Sequence, residues 1–217
     1  MDSKTALLIY SRLLSIYPHT ETHFLTFSNP YECLVMTILS AQTTDLTVNR
    51  VAPLLFERYP SPEALAGAEP EDVEELIRPT GFYHTKARHI IGSALVIVER
   101  FSGLVPNRME ELLSLPGVGR KTANIVLHHS FRVNAGVAVD THVRRLSQRI
   151  GLSLSRDPNQ IEQDLIRLYP QALWGEITYV LIRHGREVCD ARRPACDICI
   201  IRDLCDYGTS EAREKKI

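Results

Sequence analysis

The stretch Leu115-Pro116-Gly117-Val118-Gly119-Arg120-Lys121-Thr122-Ala123 decides how the rest of the sequence is interpreted. It lies between a predicted helix that ends near Leu113 and another that begins near Val118. Two glycines separated by one residue allow a tight turn and let the backbone approach a ligand closely. The amides of Val118 to Arg120 are expected to point outward at the positive end of the second helix, where they suit a phosphate. A plain corner between two helices also explains the glycines, but the cations Arg120 and Lys121 favour phosphate binding.

Around this stretch the apolar residues repeat with helical spacing along almost the whole chain. A first helix is predicted to end at Pro18, and further helices are predicted over residues 31–39, 46–59, 72–77, 86–101, 161–168 and 172–188. Only residues 133–139 are typical of a strand, and Gly136 interrupts them. The predicted fold class is therefore all-α, with short polar connections.

Length and composition set outer limits on the protein. With 217 residues, the chain has room for one large domain or two small ones. The 44% apolar and 24% charged residues exclude disorder over most of it. No apolar run reaches the roughly 18 residues that a transmembrane helix needs, so no membrane partner is expected. The polar start Met1-Asp2-Ser3 argues against a secretory signal, and we expect a cytoplasmic protein.

The net charge of -1 conceals an uneven distribution of charge. Residues 54–78 contain seven acidic side chains against two arginines, whereas residues 120–149 contain six cations against one acid. The second segment includes the glycine hairpin. The distribution predicts a basic nucleic-acid-binding cleft together with an acidic region elsewhere.

Lys121 and Asp140 are the candidate catalytic residues. Lys121 falls in the first turn of its predicted helix, where the helix dipole disfavours the charged ammonium, and an uncharged lysine can form a Schiff base. Asp140 precedes a basic segment, Thr141-His142-Val143-Arg144-Arg145, and is expected at a helix N-terminus. Its ordinary role there is an N-cap, and an anchored carboxylate is also pre-organised for electrostatic stabilisation.

Four of the five cysteines lie close together near the C-terminus, at Cys189, Cys196, Cys199 and Cys205. This spacing predicts metal ligation, and by itself it suits zinc and a [4Fe–4S] cluster about equally. Ligation would also fix Arg192 and Arg193 in a surface loop that can meet phosphates. Cys33 lies within an apolar run and is interpreted as a small buried hydrophobic residue.

Taken together, the hairpin, the segment Val139-Asp140-Thr141-His142 and the cysteine spacing resemble the endonuclease III family of DNA repair glycosylases. Further matching segments are Ile38–Asp45, Gly81-Phe82-Tyr83 and Ile182–Arg186, so the resemblance extends over nearly the whole chain. It implies two helical domains: a six-helix barrel carrying the helix–hairpin–helix over residues 24–133, and an iron–sulfur domain formed by residues 1–23 and 134–217.

The resemblance also implies roles for individual residues. Lys121 becomes the nucleophile, Asp140 the assisting carboxylate, and the four cysteines the ligands of a [4Fe–4S] cluster. Gln42 is expected to fill the space that an extruded base leaves, and Phe82 to enter the duplex as a wedge. The family commonly has leucine at Phe82 and asparagine at His84. The full set of residues expected to face DNA is Gln42, Phe82, His84, Gly117, Val118, Gly119, Arg120, His142, Arg144, Arg192 and Arg193.

The implied activity is that of a monomeric DNA glycosylase and AP lyase that removes oxidised pyrimidines from double-stranded DNA and nicks abasic sites. Related adenine-mismatch enzymes have a catalytic glutamate where Thr37 stands here, and thymine-mismatch relatives replace the hairpin lysine with tyrosine. From another class, a non-catalytic DNA-binding or electron-transfer iron–sulfur protein would need only the hairpin and the cysteines. Lys121 and Asp140 together oppose these alternatives.

Overall fold

The computed structural model describes residues 1–18 and 24–214 of the protein. These ranges contain the helices α1 (Ser3–Ile16), α2 (Pro30–Leu39), α3 (Asp45–Arg58), α4 (Pro62–Ala66), α5 (Pro70–Ile77), α6 (Tyr83–Phe101), α7 (Met109–Leu113), α8 (Arg120–Phe131), α9 (Thr141–Ile150), α10 (Pro158–Leu168), α11 (Trp174–Glu187) and α12 (Asp206–Glu214). The predicted all-α class is confirmed, and no helix within the described ranges is long and apolar enough to cross a membrane.

The strand predicted for residues 133–139 is wrong. These residues form an irregular connection between α8 and α9, and no strand occurs anywhere in the described ranges. Val137 and Ala138 are buried all the same, with 1% and 5% of their surfaces exposed. The apolar run therefore reflects burial of a linker, which periodicity alone does not distinguish from a strand.

The chain divides into two compact units. We call Met1–Thr22 with Asn134–Ile217 the terminal unit, because it contains both chain ends, and His23–Val133 the central unit. The central unit contains α2 to α8, with the glycine hairpin between α7 and α8. The terminal unit contains α1 and α9 to α12, together with the cysteine loop between α11 and α12.

The core of the central unit is built around the apolar helix α2. Asn29 caps this helix by accepting a hydrogen bond from the Glu32 amide, and Pro30 takes the first helical position. All but two of its ten residues are buried, and it packs against α3, α6 and α8. Burial raises the pKa of the Cys33 thiol in this helix to about 11, as expected for a buried, unligated cysteine.

In the terminal unit, α1 packs against α10 and α11, and α9 packs against α10, α11 and α12. Gly185 of α11 lies against α9 so closely that an added Cβ would be 2.9 Å from side-chain nitrogens of both Arg145 and His142. A side chain at this position would displace the ends of these two side chains. The close approach brings α9, which follows Asp140, against the helix that leads into the cysteine loop.

Candidate active site and cysteine loop

The glycine hairpin is fixed against α6. Gly117 has φ +76°, where an L side chain is disfavoured. An added Cβ there would also lie 2.7 Å from Cβ and Cγ of His89. One turn further along α6, the buried Ser93 hydroxyl donates a hydrogen bond of 2.6 Å to the Pro116 carbonyl. The first glycine of the hairpin is thus a structural requirement of the turn.

The second glycine has a different environment. Gly119 has φ -95°, and an added Cβ would meet no atom within 4 Å. Steric fit within the protein therefore does not explain the glycine, and the space beside it is open to an approaching ligand. The expectation that the Val118 amide points outward is wrong, because it donates to the Leu115 carbonyl at 3.2 Å. The Val118 side chain is buried as well.

Lys121 is the second residue of α8 and its side chain is exposed. Helix α8 begins at Arg120, two residues later than predicted, and Gly119 at its N-cap provides no side-chain acceptor. The lysine therefore stands on the first turn of an uncapped helix, directly beside the open space at Gly119. A nucleophile in that place is accessible to a large substrate.

Asp140 is the N-cap of α9. Its Oδ1 accepts a hydrogen bond of 2.8 Å from the Val143 amide, which is the role expected of an aspartate there. The carboxylate is half-buried and held in one orientation. Arg144 is exposed, whereas His142 is half-buried with its Nδ1 3.2 Å from Nη2 of Arg145. Lys121 belongs to the central unit, and Asp140, His142 and Arg144 belong to the terminal unit.

Gln42 and Phe82 share an unusual backbone conformation. Each is a non-glycine residue in the left-handed region, with φ 53° and φ 50° respectively. Such residues are costly unless the surrounding structure holds them. Both are exposed, Phe82 to 66%. Gln42 follows α2 and Phe82 precedes α6, so two loops of the central unit each present a strained, exposed side chain.

His84 lies in the first turn of α6, two residues beyond Phe82. Its Nδ1 is 2.6 Å from Oε2 of Glu74, and its ring is 4.2 Å from that of Tyr83. The side chain is thus engaged within the central unit. The contact of His84 with DNA stays a prediction.

All four C-terminal cysteines line one cavity. They are free thiols and form no disulfide. The rest of the lining is mostly apolar, with contributions from Ile150, Val188, Pro194 and Ile201. Four sulfur donors with an apolar surround suit an iron–sulfur cluster. Within the described ranges, no three His, Cys, Asp or Glu side chains are gathered to hold a single metal ion.

Two arginines of α9 hold the cysteine loop. Arg149 donates to Cys189 Sγ at 3.3 Å, to the Asp190 carbonyl at 2.6 Å and to the Ala191 carbonyl at 2.8 Å. Arg145 donates to the Cys189 carbonyl at 3.0 Å and to the Gly185 carbonyl at 2.9 Å. These side chains belong to the basic segment of residues 120–149, but they are directed to the cysteine loop. The sequence-based assignment of that whole segment to a DNA-binding cleft was therefore too broad.

His184 is a further residue that the sequence reasoning did not single out individually. It is 1% exposed, and its Nε2 lies 3.4 Å from Cys199 Sγ while its Nδ1 lies 3.2 Å from the Tyr17 hydroxyl. Burial lowers the pKa of His184 to about 4, so the imidazole is neutral at pH 7. The sequence signals available for such residues were the four-residue spacing of Arg145 and Arg149 on one helix face, and the proximity of His184 to Cys189.

The side chains of Arg192 and Arg193 are exposed, as expected. Their backbone amides donate to Asp190 Oδ1 at 2.8 and 3.0 Å, which fixes the turn that carries them. These two hydrogen bonds hold the pKa of Asp190 below its usual range. The loop thus presents two adjacent guanidinium groups on an ordered backbone.

Known proteins match this arrangement over nearly the whole chain. A family model described as HhH-GPD superfamily base excision DNA repair protein matches residues 35–171, and one described as the iron–sulfur binding domain of endonuclease III matches residues 189–205. The endonuclease III of Synechocystis sp. is 53% identical over 193 residues, which are 89% of this chain and 88% of that protein.

Two solved structures are similar to this chain at 35% identity. A non-covalent endonuclease III–DNA complex has a TM-score of 0.92, covering 98% of this chain and 99% of that one. A trapped endonuclease III–DNA covalent intermediate has a TM-score of 0.91, covering 98% and 100%. The chain therefore belongs to the endonuclease III family of helix–hairpin–helix base excision DNA repair proteins, and it holds a [4Fe–4S] cluster.

Proposed function

We propose that this protein removes oxidised pyrimidines from double-stranded DNA, with Lys121 as the nucleophile and Asp140 as the assisting carboxylate. Its family makes the protein a base-excision DNA glycosylase and AP lyase. The observation that carries the residue assignment is the exposed lysine on the first turn of α8, next to the open space at Gly119. The proposal includes action as a monomer.

Lys121 would use its amine lone pair to attack C1′ of the damaged nucleotide. The glycosidic bond breaks, and the base leaves with the bonding electrons and takes up a proton. Opening of the sugar ring then gives an iminium between Nζ and C1′. Loss of a proton from C2′ moves electrons toward C3′, and the C3′–oxygen bond breaks to release the 3′ phosphate. Hydrolysis of the iminium finally frees the lysine.

Asp140 would stabilise the positive charge that develops on the sugar. Its carboxylate is half-buried and fixed by the hydrogen bond from the Val143 amide, so it needs little reorganisation during the reaction. The same fixed orientation suits it to assist proton transfers. Capping and catalysis are therefore compatible in this residue.

Extrusion of the damaged base would depend on Gln42 and Phe82. Oxidised, non-planar pyrimidines stack poorly, so they cost less to extrude than intact bases. An exposed aromatic side chain such as Phe82 can wedge into a base step, and Gln42 can occupy the vacated space with hydrogen-bonding groups. Arg144, Arg192 and Arg193 are exposed and would bind phosphates.

Cys189, Cys196, Cys199 and Cys205 would ligate the cluster. When bound, the cluster joins the four thiolates into one cross-linked loop. Burial raises the pKa of the Cys199 and Cys205 thiols, which opposes their ionisation in the free protein. Arg149 donates a hydrogen bond of 3.3 Å from Nη1 to the Cys189 sulfur.

Borohydride trapping on DNA with an abasic site tests the nucleophile. We expect wild type to give a covalent adduct and Lys121→Ala to give none. Lys4→Ala is a matched control, because Lys4 is also an exposed lysine at the second position of a helix. An adduct from Lys121→Ala, or its loss from Lys4→Ala, would overturn the assignment.

Asp140→Asn separates the two roles of the aspartate. Asparagine is an equally good N-cap, so the free energy of unfolding should change little, whereas excision should slow by about 10²- to 10⁴-fold.

A panel of duplexes with thymine glycol, dihydrouracil and 8-oxoguanine tests the substrate class. Preferred cleavage at 8-oxoguanine would contradict the proposal.

A further inference from the structure

We propose that Lys86 is a positioning residue that ties the Gln42 loop to the Phe82 loop and so fixes how these two side chains are presented to DNA. This inference rests on the proposed roles of Gln42 and Phe82. Lys86 is not needed by the chemistry described above. It lies in α6 of the central unit and is only 4% exposed.

The ammonium of Lys86 bridges the two loops directly. Nζ donates to the Thr43 hydroxyl at 2.6 Å and to the Thr80 carbonyl at 2.8 Å. Thr43 is the residue after Gln42, and its hydroxyl also contacts the Thr80 carbonyl at 2.5 Å. One buried cation and one hydroxyl therefore join segments that are 37 residues apart in the sequence.

Lys86 also holds the Phe82 loop through its own backbone. Its amide donates to the Phe82 carbonyl at 3.0 Å, while its side chain binds the Thr80 carbonyl. The two contacts bracket Gly81 and Phe82, which both have positive φ. A strained conformation at Phe82 persists only where neighbours determine it, and the Lys86 ammonium supplies one such contact at the Thr80 carbonyl.

Burial of this lysine has a cost that the bridge explains. Removal of an ammonium from water is unfavourable, and desolvation lowers the pKa of Lys86 to about 8. Its partners are a hydroxyl and a carbonyl, which compensate an ammonium less well than a carboxylate would. An apolar side chain at this place would serve packing equally well, so packing alone does not account for a lysine.

The test compares excision from duplex DNA with a reaction that needs no base extrusion. In single-turnover excision of dihydrouracil from duplex, we expect Lys86→Met to be about ten- to a hundredfold slower than wild type, because small misplacement of a positioning contact costs that much. Borohydride trapping on an abasic site in single-stranded DNA should stay within about twofold, because it requires no wedge. Fluorescence of 2-aminopurine opposite the lesion should rise less for the variant.

Two further variants make the test independent of folding. Thr43→Val removes the hydroxyl that links Lys86 to the Thr80 carbonyl. The double variant Lys86→Met/Thr43→Val should excise no more slowly than Lys86→Met alone, since each single substitution breaks the same connection between the loops. Tyr31→Phe is a matched control: it deletes a buried hydrogen bond to the Tyr59 carbonyl in the same unit, and should leave excision unchanged.

Each outcome decides a separate point. If Phe82→Ala impairs duplex excision while Lys86→Met and Thr43→Val do not, the inference about Lys86 is wrong and the wedge stands. If Phe82→Ala has no effect, the proposed wedge falls and the Lys86 inference with it. Equal losses of Lys86→Met on duplex excision and single-strand trapping would show a general structural defect and overturn the positioning role.

Discussion

Substitution by alanine should impair different properties at the two glycines of the hairpin: stability at Gly117 and DNA affinity at Gly119. In Gly117→Ala, the new side chain occupies φ +76° and would lie 2.7 Å from Cβ of His89. The left-handed conformation costs about 1–2 kcal/mol, and overpacking adds about 1–3 kcal/mol. Rotation of the His89 ring does not relieve the clash, because Cβ is fixed to the α6 backbone. We expect a loss of about 2–5 kcal/mol in the free energy of unfolding.

Gly119→Ala provides the matched comparison within the same turn. Gly119 has φ -95°, and its added Cβ meets no atom within 4 Å. The variant therefore loses only about 0.5–1 kcal/mol in the free energy of unfolding, because alanine is a poorer N-cap than glycine. Yet the methyl group would occupy the space where we propose that a DNA phosphate approaches. The loss in free energy of binding to abasic duplex should therefore exceed the loss in free energy of unfolding in Gly119→Ala.

Urea unfolding and fluorescence anisotropy with labelled duplex measure the two effects separately. The expected pattern is a large stability loss for Gly117→Ala and a disproportionate affinity loss for Gly119→Ala. Equal stability losses for the two variants would refute the steric reasoning. Unchanged DNA affinity in Gly119→Ala would refute the phosphate approach at that point.

Two other predictions concern buried or half-buried cations. Arg149→Met should lose the visible absorbance of its cluster several-fold faster than wild type in the presence of a chelator, because it loses its contacts to Cys189, Asp190 and Ala191; an unchanged rate would contradict this. Lys86 has a folded-state pKa of about 8, below its ordinary value of 10.5. Between these values the unfolded chain binds more protons than the folded chain. The free energy of unfolding therefore increases as pH rises from about 8 to 10.5. Urea unfolding at pH 7 and pH 10 should show that gain in wild type relative to Lys86→Met, and parallel pH profiles would contradict it.

Local patterns in the sequence predicted most of the fold. The helical spacing of apolar residues, the glycines of the hairpin and the spacing of the cysteines each act over a few residues, and their structural consequences appear where expected. The strand predicted near Val137 failed because burial of a linker and burial of a strand select the same residues. The outward Val118 amide failed because turn hydrogen bonding was not included.

The parts of the site that the sequence did not predict depend on contacts between distant segments. Arg145 and Arg149 were counted among the basic residues expected to face DNA, because a count of charges does not show the direction of a side chain. Lys86 stands in an ordinary helical pattern, and only the structure brings Thr43 and Thr80 to its ammonium. Long-range packing decides such positions, whereas local periodicity decides the helices that carry them.

The terminal unit combines two segments that are distant in the sequence, and this affects how the protein folds during synthesis. Helix α1 emerges from the ribosome well before the residues that it packs against in α10 and α11. Tyr10 bonds Glu176, which is 166 residues further along the chain. At about 5–20 residues per second, the apolar face of α1 waits roughly 8–30 s for this partner on the ribosome. The central unit is continuous in sequence and can fold during that interval, before α10 and α11 are available to pack against α1.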